Sequence, residues 1–160
     1  MKTINESGMS FKVDGTKTFH IEKSSIYQAR NIHGISSVEF VTLDPQKRVV
    51  FMEARTDAPR DTTEFSLDIE KKFSHSIQLC LALSHGILED PQMEMPGAIR
   101  DELQDKPRFW MILVVKELAA EHCDILQNCL NQKLSALRHI WDMHVLVFNE
   151  DGARKRCMIA

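Results

Sequence analysis

The sequence lacks the motifs by which many enzymes hold nucleotides or activate a serine. Its six glycines are scattered, so it contains neither a G-x-G-x-x-G segment nor a phosphate-binding Walker loop. No G-x-S-x-G turn is present to carry a nucleophilic serine. These absences argue against dinucleotide-binding enzymes, P-loop enzymes and α/β-hydrolases.

Long apolar segments are also missing. There is no run of about 18 apolar residues, so the sequence predicts no membrane-spanning helix and no membrane partner. Residues 1–10 lack the apolar centre of a secretory signal. The four cysteines form no CxxC pair, and together these features indicate the reducing cytoplasm as the compartment.

The cysteines and aromatic residues do not form a recognisable site. His122, Cys123 and Cys129 have poor spacing for a zinc finger, while Cys80 and Cys129 fall on apolar stripes of predicted helices, as buried thiols do. Aromatic residues make up 7% of the chain and do not alternate with a basic strip, as a base-stacking platform would require. The net charge of −3 argues against a general basic coat, and leaves only local basic clusters to contact nucleic acid.

The pattern of apolar residues predicts one α/β domain over residues 1–160. Its predicted centre is a mixed β-sheet, in which an antiparallel hairpin is followed by helix, strand, helix and strand, with the helices packed on the sheet. Residues 150–160 are predicted to be a surface tail. The predicted elements are a hairpin (10–14 and 17–21), a short helix (24–30), two strands (37–43 and 48–55), a helix (67–88), a short helix (98–103), a strand (108–116), a helix (124–141) and a strand (144–148).

Two glutamates and an arginine form the one candidate site in the sequence. Glu39 and Glu53 lie on the apolar rows of the two strands of the central hairpin, where a lone charge is costly to bury. They face each other only if the hairpin is centred on Gln46 with a loop of three or five residues, because a loop of even length sends them to opposite faces. An odd loop also places Arg55 on the face of Glu53. Asp44, before Pro45, is interpreted as a turn residue.

Facing carboxylates repel each other, so something must compensate their charge. Three alternatives remain open from the residues alone. A divalent cation such as Mg²⁺ could lie between them, Arg55 could form a structural ion pair with them, or one carboxylate could lie in water at the end of the sheet.

The segment VEFVTLDPQKRVVFMEAR resembles the core hairpin of the PD-(D/E)XK, or restriction-endonuclease-like, nuclease superfamily. The motif covers about 19 residues, and the order of elements is similar over residues 37–148. The resemblance implies that Glu39 and Glu53 are metal ligands for Mg²⁺ or Mn²⁺, that Arg55 stands at the position of the family's lysine, and that the partner is nucleic acid. It implies a metal-dependent phosphodiesterase.

Two positions depart from the family pattern. Glu39 stands where the family usually has aspartate, and Arg55 cannot lose a proton near neutral pH, so it cannot act as a general base. Arg55 can still hold a phosphate group. The alternative hypothesis is therefore a catalytically inactive nuclease-like domain that serves as a binding or oligomeric assembly module, with a homodimer as one form of it.

The helix after the hairpin offers accessory residues. Lys71, His75 and Gln78 lie near its start, and residues three or four positions apart share a helix face. We interpret them as candidate accessory groups beside the two glutamates, while a histidine at this position is also typical of an ordinary helix surface.

Overall fold

A computed structural model of the protein describes all of residues 1–160 and shows seven strands and six α-helices. The strands are β1 (Lys2–Glu6), β2 (Met9–Val13), β3 (Thr18–Phe19), β4 (Phe40–Leu43), β5 (Arg48–Arg55), β6 (Arg108–Val115) and β7 (His144–Asn149). The α-helices are α1 (Ser25–Gln28), α2 (Thr62–Ser84), α3 (Gly97–Gln104), α4 (Ala120–Lys133), α5 (Ser135–Trp141) and α6 (Glu150–Lys155). A 3₁₀ turn at Ile21–Lys23 lies between β3 and α1.

The main sheet has five strands in the order β3-β4-β5-β6-β7. The pairs β3–β4 and β4–β5 are antiparallel, whereas β5–β6 and β6–β7 are parallel. The predicted mixed α/β sheet, with an antiparallel hairpin followed by helix, strand, helix and strand, is therefore confirmed.

The central hairpin turns through the three residues Pro45, Gln46 and Lys47. The Asp44 side chain fixes the turn, because its Oδ1 accepts hydrogen bonds from the backbone N–H groups of Gln46 (2.9 Å) and Arg48 (2.8 Å). Lys47 adopts the left-handed conformation with φ 58°, as the last residue of a three-residue hairpin loop commonly does. The loop therefore has the odd length on which the candidate site depended, and the predicted turn role of Asp44 is confirmed.

The two faces of the sheet are covered by different parts of the chain. The α-helical face packs β4, β5 and β6 against α2, α3 and α4 in a cluster of 27 buried residues, with Phe51, Phe73 and Phe109 among the largest. The opposite face is covered by the β1–β2 hairpin and α6 in a second cluster of 12 buried residues. Each face thus has its own apolar core, and the hairpin carrying Glu53 lies between the two.

The N-terminal hairpin differs from the prediction. Residues 10–14 were expected to pair with residues 17–21, but β2 pairs with β1, and β3 joins the main sheet beside β4. The turn between β1 and β2 is Ser7–Gly8, and both residues have positive φ, 50° and 69°. Such a turn matches the twist of a two-residue hairpin, but a serine in the left-handed region gives only a weak signal in the sequence.

The predicted helix over 124–141 is divided in two. Leu134, with φ −91° and ψ 15°, separates α4 from α5, and is itself fully buried. Arg138 Nη1 donates a hydrogen bond of 3.2 Å to the Asn131 carbonyl, which satisfies a carbonyl near the break. The break keeps Leu134 in the core and leaves Ile140 71% exposed.

The predicted surface tail is instead part of the second core. Residues 150–155 form α6, and Ala153 and Ile159 are buried. Residues 158–160 run antiparallel to β2, with hydrogen bonds from Lys12 N to the Met158 carbonyl (3.0 Å) and from Ala160 N to the Ser10 carbonyl (2.9 Å). The alternation of polar and apolar residues in this short segment was too brief to indicate a strand-like contact.

Replacing Ile159 with alanine is expected to lower the free energy of unfolding by about 2–5 kcal/mol, because it opens a cavity in a packed core. The matched control is Ile140→Ala, since Ile140 is largely exposed, and its effect is expected to stay within about 0.5 kcal/mol. Urea unfolding followed by circular dichroism measures both. An equal effect of the two substitutions would contradict the packing of residues 158–160 on the second face.

Candidate functional site

The central hairpin brings Glu39 and Glu53 to the same end of the sheet. The paired residues of β4 and β5 are Phe40 with Met52 and Leu43 with Val49, which is the register that the candidate site required. The regular pairing of the two strands stops at Phe40. The backbone bends at Glu39, whose N–H donates a hydrogen bond of 3.1 Å to the Met52 carbonyl. Glu39 is 7% exposed and Glu53 is fully buried.

Glu53 is compensated by two cations of the protein. Its Oε1 lies 2.9 Å from Arg55 Nε and 2.9 Å from Lys72 Nζ, the latter reaching across from α2. Burial raises the pKa of Glu53, while Lys72 and Arg55 oppose this increase. The second carboxylate oxygen, Oε2, is buried without a hydrogen-bond donor. The carboxylate is therefore held in place by charge contacts on one side only.

Arg55 is oriented by α2. Its guanidinium pairs with the Asp68 carboxylate and lies 5.8 Å from the centre of the Phe65 ring. The Arg55 side chain remains 32% exposed, so it links the buried Glu53 to the surface. These contacts fix the orientation of the Arg55 guanidinium.

A second group of carboxylates meets Glu39 from the N-terminal part of the chain. Glu6 ends β1, and Glu22 lies in the 3₁₀ turn that follows β3, where its N–H donates to the Glu39 carbonyl at 3.4 Å. One oxygen from each of Glu6, Glu22 and Glu39 lies within 4.8 Å of the other two. We call these three residues the acidic cluster.

Glu39 is the least satisfied member of the acidic cluster. Its Oε2 is buried and has no hydrogen-bond partner. Burial, contact with Glu22 and the nearby charge of Glu53, in that order, raise the pKa of Glu39 to about 9. Without a bound cation, the Glu39 side chain is therefore protonated and neutral at neutral pH.

Two basic residues border the acidic cluster. His20 Nε2 lies 3.0 Å and Lys23 Nζ 2.5 Å from Glu6 Oε1. Burial lowers the pKa of His20, with Lys23 contributing in the same direction, so His20 tends to be neutral. His20 and Lys23 also line a polar cleft of about 580 Å³ that includes Lys2 and Thr16. None of the three carboxylates lines this cleft, which adjoins the acidic cluster through the contacts of His20 and Lys23 with Glu6.

The charges of the whole site do not balance. Five acids converge here, namely Glu6, Glu22, Glu39, Glu53 and Asp68, whereas the ion pairs supply only three permanent cations, Lys23, Arg55 and Lys72. With every acid ionised, the excess is two negative charges. Protonation of buried carboxylates or a bound divalent cation would remove this excess.

The predicted accessory residues lie outside this arrangement. Lys71 is exposed and forms no ion pair. His75 Nδ1 accepts a hydrogen bond of 3.1 Å from Ser36 N, and Gln78 is exposed and bonds to Ser74. His75 and Gln78 line a separate depression of about 400 Å³. None of the three makes a polar contact with the hairpin carboxylates.

Three residues of the site were not singled out by the sequence. Glu6 lies outside every predicted element, Glu22 directly follows the predicted strand 17–21, and Lys72 lies in the predicted helix 67–88 with no pattern that distinguishes it. Consecutive helix residues differ by about 100° in direction, so one position separates the exposed Lys71 from the largely buried Lys72, whose side chain is 16% exposed. The signal that could have found Lys72 is its place one residue before the buried Phe73.

The cysteines offer no competing site. Cys80 is fully buried, and burial raises the pKa of its thiol to about 12, which makes it an inert core residue as predicted. Cys129 is only half-buried, and all four cysteines are free.

Comparison with known proteins gives no assignment: no protein-family model, curated protein or solved structure matches the chain. None of the helices is both long enough and apolar enough to cross a bilayer. The functional argument therefore depends on the geometry of the site.

Proposed function

We propose that the protein is a divalent-metal-dependent phosphodiesterase of the nuclease type, acting on nucleic acid at the end of the central hairpin. The observation that carries this proposal is the buried, unpartnered Oε2 of Glu39, which lies among further carboxylates. A carboxylate that is buried without a partner destabilises a fold. A cation that binds there would supply the missing partner.

The donor set fits a hard cation. Glu39, Glu22 and Glu6 offer only carboxylate oxygens, which Mg²⁺ and Mn²⁺ prefer. With every acid ionised, the excess of two negative charges equals the charge of one such ion, so binding of the ion would go with loss of the proton from Glu39. Glu53 lies outside this set of three, with its Oε1 engaged by Arg55 and Lys72, and it would contribute its negative charge to the site.

The cations of the chain divide the remaining tasks. A metal ion held by these carboxylates would lower the pKa of a bound water and offset the charge of a phosphate. Lys72 holds Glu53 in position at 2.9 Å. Arg55, one-third exposed, can donate to a phosphate oxygen but cannot accept a proton near neutral pH. Lys2 and Lys23 line the polar cleft along which a polyanion could approach.

Metal binding and cleavage test the proposal together. Calorimetry with Mn²⁺ is expected to show a site that is lost in Glu39→Gln and kept in Glu121→Gln, the same change at an exposed helix position. Labelled single-stranded and duplex DNA and RNA are expected to be cleaved with Mn²⁺ or Mg²⁺ and not with a chelator, and Glu39→Gln is expected to reduce the rate by about 100-fold or more.

A specific observation favours a second candidate function, that of an inactive nuclease-like domain that binds or assembles. Glu53 is already neutralised by Arg55 and Lys72, and Arg55 stands where a proton-transferring lysine would be needed. This candidate predicts no divalent binding above that of Glu39→Gln and no cleavage.

A homodimer is one form of the assembly function. The edge strand β7 is the natural place for two sheets to join, yet the side chain of Gln127 accepts a hydrogen bond of 3.0 Å from Val147 N on that strand. This contact occupies one donor that a second sheet would need. Light scattering over a range of concentrations distinguishes a dimer from a monomer.

A further inference from the structure

A groove opens on the sheet face opposite the helices. It has a volume of about 670 Å³. It lies between the β1–β2 hairpin, residues 156–158 and the part of the main sheet next to the Pro45–Lys47 turn. We call it the sheet groove. Its floor includes Thr42, Val50, Trp110 and Leu146, and the side chains of Trp110 and Leu146 are only partly buried. It is separate from the carboxylate site, none of whose side chains lines it.

The size and shape of the sheet groove suit a small molecule. Pockets for small ligands typically have volumes of about 300–1,000 Å³ and are lined mainly by apolar side chains with a few polar groups. Val13 on the hairpin and Met158 near the C-terminal end form apolar walls. These walls leave a concave surface, whereas a protein partner usually needs a broad one.

The rim of the groove carries unbalanced positive charge. Its acids are already engaged, because Asp44 pairs with Arg48 Nε at 2.5 Å and Asp14 bonds to Thr16 and lies 3.8 Å from Lys17 Nζ. The remaining basic residues of the rim, Lys12 and Arg156, form no ion pair with any carboxylate. An excess of two positive charges at this rim stands out on a chain whose net charge is −3.

Aromatic contacts at the groove point to the kind of apolar body it would hold. The Arg48 guanidinium lies 4.0 Å from the centre of the Trp110 ring. The Arg156 guanidinium lies 4.7 Å from the centre of the Phe148 ring. Arginine groups stacked on aromatic rings form flat surfaces against which another flat ring can pack.

We propose that the sheet groove is a binding site for a small aromatic anion, whose ring packs against the stacked Arg48 and Trp110 side chains and whose carboxylate or phosphate pairs with Lys12 and Arg156. The charged group would lie at the rim, where it keeps part of its hydration, and the ring would cover the apolar floor. This inference does not depend on the proposed nuclease activity, because it concerns the other face of the sheet.

The two tryptophans of the protein give an internal reporter and control. Trp110 lines the groove, whereas Trp141 packs against Phe109 on the helical side, with ring centres 5.2 Å apart. Titration of ¹⁵N-labelled protein with 2-naphthoate is expected to shift the indole N–H signal of Trp110 in a saturable manner and to leave that of Trp141 in place. Equal movement of both signals, or movement of neither, would overturn the proposal.

The charge requirement is tested with a neutral analogue and two variants. The double variant Lys12→Ala, Arg156→Ala is expected to weaken 2-naphthoate binding by about tenfold, to leave binding of 2-naphthamide unchanged, and to keep the native fold because both residues are exposed. Lys155→Ala, an exposed neighbour outside the groove, is expected to have no effect. Equal losses for both compounds, or no loss of 2-naphthoate binding, would contradict recognition of the anion.

Discussion

Replacement of Lys72 by methionine is expected to lower the free energy of unfolding by about 3 kcal/mol, because it leaves a buried carboxylate with one cation instead of two. Lys72 Nζ lies 2.9 Å from Glu53 Oε1, and its side chain is only 16% exposed. Methionine keeps much of the apolar stem that packs beside the charge, so the loss would report mainly the missing ammonium group. Urea unfolding measures the change.

The control for this prediction lies one residue away. Lys71→Met removes the same charge from an exposed position, and is expected to change stability by less than about 0.5 kcal/mol. The double variant Glu53→Gln, Lys72→Met is expected to recover most of the lost stability, since it removes both charges together. If Lys71→Met and Lys72→Met destabilised the protein equally, the contact with Glu53 would not be the cause.

The second large effect is a loss of stability as pH rises when no divalent metal is present. The folded protein raises the pKa of Glu39 from its ordinary value of 4.5 to about 9. Between these values the folded state keeps a proton that the unfolded state has released, so stability falls as pH increases through this window. The slope contributed by one group can reach about 1.4 kcal/mol per pH unit.

Glu39→Gln is expected to flatten this slope and to make the protein more stable than the wild type at about pH 8. The comparison uses urea unfolding in a chelating buffer from about pH 6 to about pH 9, with Glu121→Gln as a control that keeps the wild-type slope. Burial also raises the pKa of Glu53, so a residual slope in Glu39→Gln is attributed to that group. A wild-type stability that is unchanged or rises over this range would contradict the protonated state of Glu39.

The same measurement with Mn²⁺ connects stability to function. A cation that binds the ionised carboxylates stabilises the folded wild type, and it does so more strongly as pH rises because the ligands must lose their protons. Glu39→Gln is then expected to be the more stable protein without metal and the one that gains less from it. A residue that lowers stability and supports ligand binding is typical of a functional site.

Much of the hairpin could be predicted because its information is local. Asp44 and Pro45 mark the turn, and the apolar residues around them mark its two strands. These positions left the choice between an odd and an even loop open, and the structure shows the odd one. The strand bounds, the short helix at 97–104 and the last strand depended on similarly local patterns.

The rest of the site could not be predicted, because it is assembled by distant elements. Glu6 reaches Glu39 only because β1 pairs with β2, and that pairing depends on the left-handed backbone of Ser7. Glu22 arrives through a 3₁₀ turn of three residues, which has no periodic signal. Lys72 depends on the rotation of α2 about its axis, which the packing of Phe73 decides.

The pairing of residues 158–160 with β2 also bears on how the chain folds during synthesis. Ser10 leaves the ribosome early, but the backbone group that it binds belongs to Ala160. The second core therefore cannot close until residues 158–160 have been synthesised, and the entropy of closing this long loop opposes that step. Until then the apolar sheet face opposite the α-helices stays exposed to water. We therefore expect chains that are truncated before Ile159 to depend on chaperones or to aggregate.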